Sequence, residues 1–119
     1  MQDFRKLIVW QRAQETCVEA YRFSADFPVE ERYGLTKQLR DATVSVGANI
    51  AEGSKRVSPT DKARIFNIAE SEAAESMSLL DLAERLRYGR QGEARRLADI
   101  YDELLGMIEK LRQLVLGGG

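Results

Sequence analysis

The chain contains no histidine, one cysteine and two prolines among 119 residues, and each scarcity removes a class of protein. Without histidine there is no imidazole base, no Ser-His-Asp triad and no Glu-x-x-His di-iron motif. With Cys17 alone, neither a zinc finger nor an internal disulfide can form, and a lone thiol fits a reducing compartment. No apolar run approaches the roughly 18 residues needed to cross a bilayer, and the start Met1-Gln2-Asp3-Phe4-Arg5-Lys6 lacks the features of a secretory signal. A cytoplasmic protein without membrane association is the expectation. Strand-like alternation of Val, Thr and aromatics is also missing. Charge of one sign is missing too, since 18 Lys and Arg stand against 19 Asp and Glu, which argues against a uniformly basic nucleic-acid domain.

What is present is helical periodicity in a chain sized for one domain, expected over residues 1–116 with a flexible glycine tail at 117–119. From about Asp3 to Ala25, the residues Phe4, Leu7, Trp10, Ala13, Cys17, Ala20 and Tyr21 recur at helical steps. Phe27-Pro28 closes that segment. A second helix is predicted from Glu30 or Tyr33 to Glu52, with a seam of Leu35, Leu39, Ala42, Val46, Asn49 and Gly53, the last acting as a left-handed stop. Ser58-Pro59-Thr60-Asp61 opens a third helix, Ser58 as N-cap and Pro59 at the first helical position. Its apolar stripe, from Ile65 and Phe66 to Leu86, is wide enough to face two neighbours. Tyr88-Gly89-Arg90-Gln91-Gly92 interrupts the pattern, and Leu97 to Val115 forms the last helix. Short connections make an all-α, antiparallel up-down-up-down four-helix bundle the simplest architecture.

The order Phe4, Leu7, Val9-Trp10-Gln11, Ala13, Tyr21, Phe27-Pro28, Tyr33-Gly34-Leu35, Gln38-Leu39-Arg40, Ser45 and Asn49-Ile50-Ala51-Glu52-Gly53 resembles the bacterial "four helix bundle protein" family, also called 23S rRNA intervening-sequence proteins. The likeness continues through Arg56, Ser58, Ile68-Ala69 and Glu75. The resemblance implies a four-helix subunit in a ring-shaped homopentamer without established catalytic activity. Accessory proteins of diversity-generating retroelements are similar to these, which implies RNA or a reverse-transcriptase-like protein as partner. Gly47 stands where the family usually has Pro, and Ser71-Glu72 where it often has Gly-Ser.

Charge is uneven along the chain. Arg32 to Arg64 carries an excess of four positive charges, and Arg85 to Arg96 repeats that excess. Both clusters border loops, and Arg56, Lys62, Arg64, Arg90, Arg95 and Arg96 are the leading candidates for phosphate contact. Salt bridging between subunits is an equally good use for them. Asn49, Glu52 and Arg40 are expected to share a structural polar network that fixes helix register, Glu52 pairing with Arg40, Lys55 or Arg56. Trp10, Phe4, Tyr21 and Tyr33 are read as packing residues rather than base-stacking platforms, and Cys17 as a small buried hydrophobe. Nothing requires a cofactor. An enzyme alternative rests on Glu72-x-x-Glu75 and Asp99-x-x-Asp102, acid pairs spaced for Mg²⁺ as in all-α nucleoside triphosphate pyrophosphohydrolases. A non-enzymatic binding scaffold for RNA or a nucleic-acid-associated protein is the favoured reading, with a scaffold for protein alone as the other.

Overall fold

The computed structural model describes residues 3–117. Four helices follow in order, α1 Ile8–Ser24, α2 Leu35–Lys55, α3 Pro59–Arg85 and α4 Glu93–Leu116, with short 3-10 turns at Phe4–Lys6 and Val29–Glu31. No strand occurs among the described residues, so the chain is all-α. None of its helices is long and apolar enough to cross a membrane. The ends are set by local chemistry. Asp3 accepts from the Arg5 amide at 3.0 Å and starts the first turn. Ser58 accepts from the Asp61 amide at 3.1 Å, with Pro59 just inside α3, which satisfies one otherwise orphaned donor. Gly117 caps α4, its amide bonding the Gln113 carbonyl at 2.9 Å. The rest of the expected tail, Gly118 and Gly119, lies outside the described residues.

Each helix packs on its sequence neighbours, and α1 also packs on α4. Across α1 and α2, Cys17 meets Thr43 and Ser24 meets Arg40. Between α2 and α3, Gly53 meets Phe66 and Ser54 meets Lys62. Arg95 faces Glu84 and Arg112 faces Glu70 across α3 and α4, while Arg12 faces Glu103 and Arg96 faces Glu19 across α1 and α4. The shared core is Leu39, Val46, Ile50, Phe66, Leu80, Leu97, Tyr101, Leu104 and Ile108, lined by Ala13, Ala20, Ala69, Ala73 and Ala83. The alanines keep the interaxial spacing small, and burying the larger side chains stabilises the fold by about 1.5–3 kcal/mol each.

The structure differs from the periodicity at several points, the first being that α1 starts at Ile8, beyond the separate Phe4–Lys6 turn, and not near Asp3. The buried face of α1 is Val9, Ala13, Thr16, Ala20 and Phe23, not the face holding Trp10, Cys17 and Tyr21. Both sets share Ala13 and Ala20. Phe23 decides between them, because it packs edge-on against Phe27 at 5.1 Å between ring centres and beneath Gly89. Helix α2 starts at Leu35, after the separate turn, and runs on to Lys55. Gly53 is therefore an interior helical residue and not a left-handed stop. A Cβ there would lie 2.7 Å from two carbons of the Phe66 ring, so the glycine allows α2 and α3 to touch.

Tyr101 is fully buried, and its hydroxyl faces Thr43 and Cys17 without completing a hydrogen bond of good geometry. Burial pushes its ionisation far above the ordinary tyrosine value. An orphaned buried hydroxyl costs about 1–3 kcal/mol, so Tyr101→Phe is expected to stabilise the protein by about 1 kcal/mol. Gly53→Ala, which forces the Phe66 ring to move, is expected to destabilise it by about 1–3 kcal/mol. Urea unfolding midpoints check both.

Candidate nucleic-acid interface

The six basic residues proposed for phosphate contact divide between the two ends of α3. Arg56, Lys62 and Arg64 surround its start, and Arg90, Arg95 and Arg96 follow its end. The 21 helical steps from Arg64 to Arg85 span about 32 Å, so the six cannot form one patch on a subunit.

At the start of α3, Arg56 pairs with Glu52 and, at 3.6 Å, with Asp61. Arg64 donates to the same Asp61 carboxylate at 2.8 and 3.0 Å. Lys62 donates to the Ser54 carbonyl at 2.7 Å, at the carboxyl end of α2 where a cation is favoured. Burial, then the neighbouring Lys55 charge, push the Lys62 ammonium below the ordinary lysine value. The Phe4–Lys6 turn packs on α2 and sets Asp3 within range of Lys55. Around the Phe4–Lys6 turn, the end of α2 and the first turns of α3, six cations (Arg5, Lys6, Lys55, Arg56, Lys62 and Arg64) accompany three acids (Asp3, Glu52 and Asp61).

The other end is built on a helix stop. Arg87 adopts φ 62°, the left-handed conformation that glycine supplies at most such stops. Its amide bonds the Glu84 carbonyl at 3.0 Å, and the Tyr88 amide bonds the Ala83 carbonyl at 2.9 Å. Gly89 and Gly92 also have positive φ and fold the chain into the first turn of α4, which no side chain caps. The result is a cleft of about 630 Å³ lined by Arg87, Arg90, Gln91 and the two glycines, with Glu84 and Tyr88 at its sides. Among the described residues, Arg87 and Arg90 make no ion pair, whereas Arg95 faces Glu84 at 3.8 Å and Arg96 joins Glu19 and Glu93. Sequence counting included Arg87 in the cluster but did not single it out, because its value comes from its backbone conformation. Tyr88 ties this loop to the α1–α2 connection. Its hydroxyl donates to Glu31 Oε2 at 2.9 Å, and Glu31 Oε1 accepts from the Leu35 amide at 3.1 Å.

The expected polar network of Asn49, Glu52 and Arg40 is replaced by three separate contacts. Asn49 donates to its own helix at the Ser45 carbonyl, 2.8 Å away, and Glu52 pairs with Arg56. Arg40 donates to Ser24 Oγ at 2.9 Å and the Tyr21 carbonyl at 3.1 Å, with its guanidinium 4.6 Å from the Tyr21 ring centre. The step after Val46 is four residues, so Ile50 enters the core and Asn49 turns to the flank. Trp10 packs edge-on to Phe4 at 5.1 Å, but Tyr21 and Tyr33 are exposed. Cys17 is half-buried, its thiol donating to Thr43 Oγ1 at 3.7 Å and pushed upward in pKa by burial. It lines a shallow groove of about 320 Å³ with Gln14, Val18, Tyr21 and Val44. None of these five side chains is charged, and Val18 and Val44 are 49% and 45% exposed.

The two acid pairs do not assemble into a metal-binding set. Among the described residues, no three Asp, Glu or Cys groups converge on one point. Glu72 is raised by partial burial and by Glu75, while Asp99 and Asp102 lie with Asp81 and Glu84 along a groove of about 210 Å³ between α3 and α4.

The hydrogen bond from Arg96 holds the Glu93 carboxyl below its ordinary value near 4.5. The sign follows from the lowered value. Glu93 stabilises the fold above that pH and loses this contribution as pH falls through its folded-state pKa. Glu93→Gln is expected to lower stability by less than ~1 kcal/mol at neutral pH, with the difference from wild type shrinking in acid. Urea midpoints at neutral and acidic pH measure it.

Among curated proteins, none matches the chain. A solved structure from Bacteroides thetaiotaomicron VPI-5482, of a protein of unknown function from the S23 ribosomal protein family, is similar to it with a TM-score of 0.78 and 24% identity. The match covers 88% of this chain and 98% of that one, and shows a common fold. The 23S rRNA-intervening sequence protein family matches residues 5–110, so with four helices over that span the chain belongs to this family.

Proposed function

We propose that the chain is a non-enzymatic, self-associating scaffold that holds RNA by its phosphates. The subunit in this reading is an antiparallel up-down-up-down four-helix bundle. The pairings support it, since rising numbers on one helix meet falling numbers on its neighbour, as in Glu70 with Arg112 and Glu84 with Arg95 for α3 and α4, and Arg12 with Glu103 and Glu19 with Arg96 for α1 and α4. Self-association, as a ring of five in the fullest version, uses the groove of Val18, Tyr21 and Val44. Its lack of charge makes desolvation inexpensive.

The observation that carries the RNA reading is the cleft after α3. It combines two arginines that form no salt bridge, although Arg90 acts on Glu93 at longer range, with a helix start that no side chain caps, whose N–H groups and dipole favour anions. The strain at Arg87 adds to this. A non-glycine residue in the left-handed region costs about 1–2 kcal/mol, and glycine would relieve it while withdrawing the guanidinium. The Arg56 and Lys62 end, with its excess of positive charge, adds attraction at longer range. Repetition around an oligomer multiplies such weak contacts without new chemistry, so a subunit of net charge −1 is compatible with RNA binding. A second reading, a scaffold for a protein partner alone, is favoured by the carboxylates already engaging Arg56, Arg64, Arg95 and Arg96.

Arg87→Gly is expected to raise stability by about 1 kcal/mol yet weaken RNA binding. Arg87→Gln/Arg90→Gln is expected to reduce the salt dependence of binding by about one log–log unit per lost phosphate contact. Urea unfolding midpoints check the stability change, fluorescence anisotropy across a salt series measures RNA binding by both variants, and RNA binding unchanged in both would leave the protein scaffold. Light scattering tests the groove. Val18→Glu/Val44→Glu is expected to reduce the particle mass, and a monomeric wild-type protein would sink the ring.

A further inference from the structure

We infer that Tyr33 is a base-stacking platform, so that the RNA recognised at this end is single-stranded or looped rather than a continuous duplex; this rests on the RNA reading above. Tyr33 sits in the connection between α1 and α2 and is 80% exposed. An exposed tyrosine of that degree contributes little to its own fold. The Arg32 guanidinium lies 5.1 Å from its ring centre, leaving the rest of the ring open to solvent. The connection is nevertheless held in place. Glu31, two residues away, is bonded to the Leu35 amide and to the Tyr88 hydroxyl, so the platform and the Arg87–Arg90 loop belong to one braced end.

Phosphate contact at Arg87 and Arg90 gives this end only modest affinity, because acids stand close to the arginines. Arg22, Arg32, Arg87 and Arg90 are offset by Asp26, Glu30 and Glu31 around the neighbouring connection, by Glu84 at the side of the cleft and by Glu93 near Arg90. Affinity there needs a contribution that salt does not screen. Stacking of a base on an aromatic face, reinforced by an adjacent arginine, supplies one and tolerates any base sequence. A base can reach an isolated exposed ring only if it is unstacked, and bases inside a duplex are not.

The test is anisotropy with a uridine 20-mer, a duplex RNA of equal length, and heparin as a polyanion without bases. Tyr33→Ala is expected to weaken uridine 20-mer binding at least fivefold at every salt concentration. The salt slope, duplex binding and heparin binding should stay unchanged, and Tyr33→Trp should restore the affinity. Unchanged uridine binding in Tyr33→Ala, while Arg87→Gln/Arg90→Gln still lowers it, would overturn the stacking role and leave the RNA reading standing. Equal weakening towards heparin would overturn it as well, by assigning Tyr33 to general anion contact or to structure. Absence of RNA binding by the wild-type protein at low salt would remove both.

Discussion

The contact between α1 and α4 is the one that chain connectivity does not provide. Every other neighbouring pair of helices is joined by a short connection, so its ends are already close and the entropy of bringing them together is small. The first and last helices must find each other across most of the sequence. Apolar packing holds them, with Ala13 and Ala20 on α1 and Leu97, Tyr101 and Leu104 on α4 contributing to the same buried core. The Arg12–Glu103 and Arg96–Glu19 pairs sit on its solvent side. Exposed pairs of this kind contribute little energy, but they disfavour alternative registers. Closure of this contact encloses the hydroxyl of Tyr101 between α1, α2 and α4.

The same closure explains how charge is used. Arginines near the helix surfaces have carboxylates on the facing helix or one turn away, and most are engaged within the subunit. Positive charge without an ion partner therefore survives mainly where the helices stop. Arg87 and Arg90 lie in a connection, beyond the last turn of α3 and before the first turn of α4. Arg32 and Tyr33 lie in the connection facing them, reached through Glu31 and Tyr88. The body of the subunit instead exposes acids, with Asp81, Glu84, Asp99 and Asp102 along the groove between α3 and α4, and the groove between α1 and α2 is lined by uncharged side chains.

Much of the fold was legible because helical periodicity and helix punctuation are local. Ser58-Pro59 marked the start of α3, Gly89 and Gly92 marked the break before α4, and the spacing from Leu97 to Val115 marked the last helix. Less of the site was legible. Basic residues could be counted, yet whether Arg56 meets Glu52 or Arg96 meets Glu19 depends on helix rotation and on a helix distant in sequence. The seam of α2 was misplaced at one point, since the step from Val46 to Ile50 is invisible to a strict seven-residue repeat. Tyr33 looked like a packing residue because tyrosine usually is one, and its neighbours carry no periodicity to say otherwise.

The sequence by itself determined the all-α class, the capped start of α3 at Ser58-Pro59 and the exclusion of histidine-based chemistry. Each of these depends on residue type or on neighbours within about one turn. Tertiary structure decided which face of α1 is buried, why Gly53 is a glycine and which arginines are left without partners. Those outcomes depend on contacts between helices, such as Phe66 on Gly53 and Phe23 beneath Gly89, and no spacing rule within one helix encodes the rotation that brings them together.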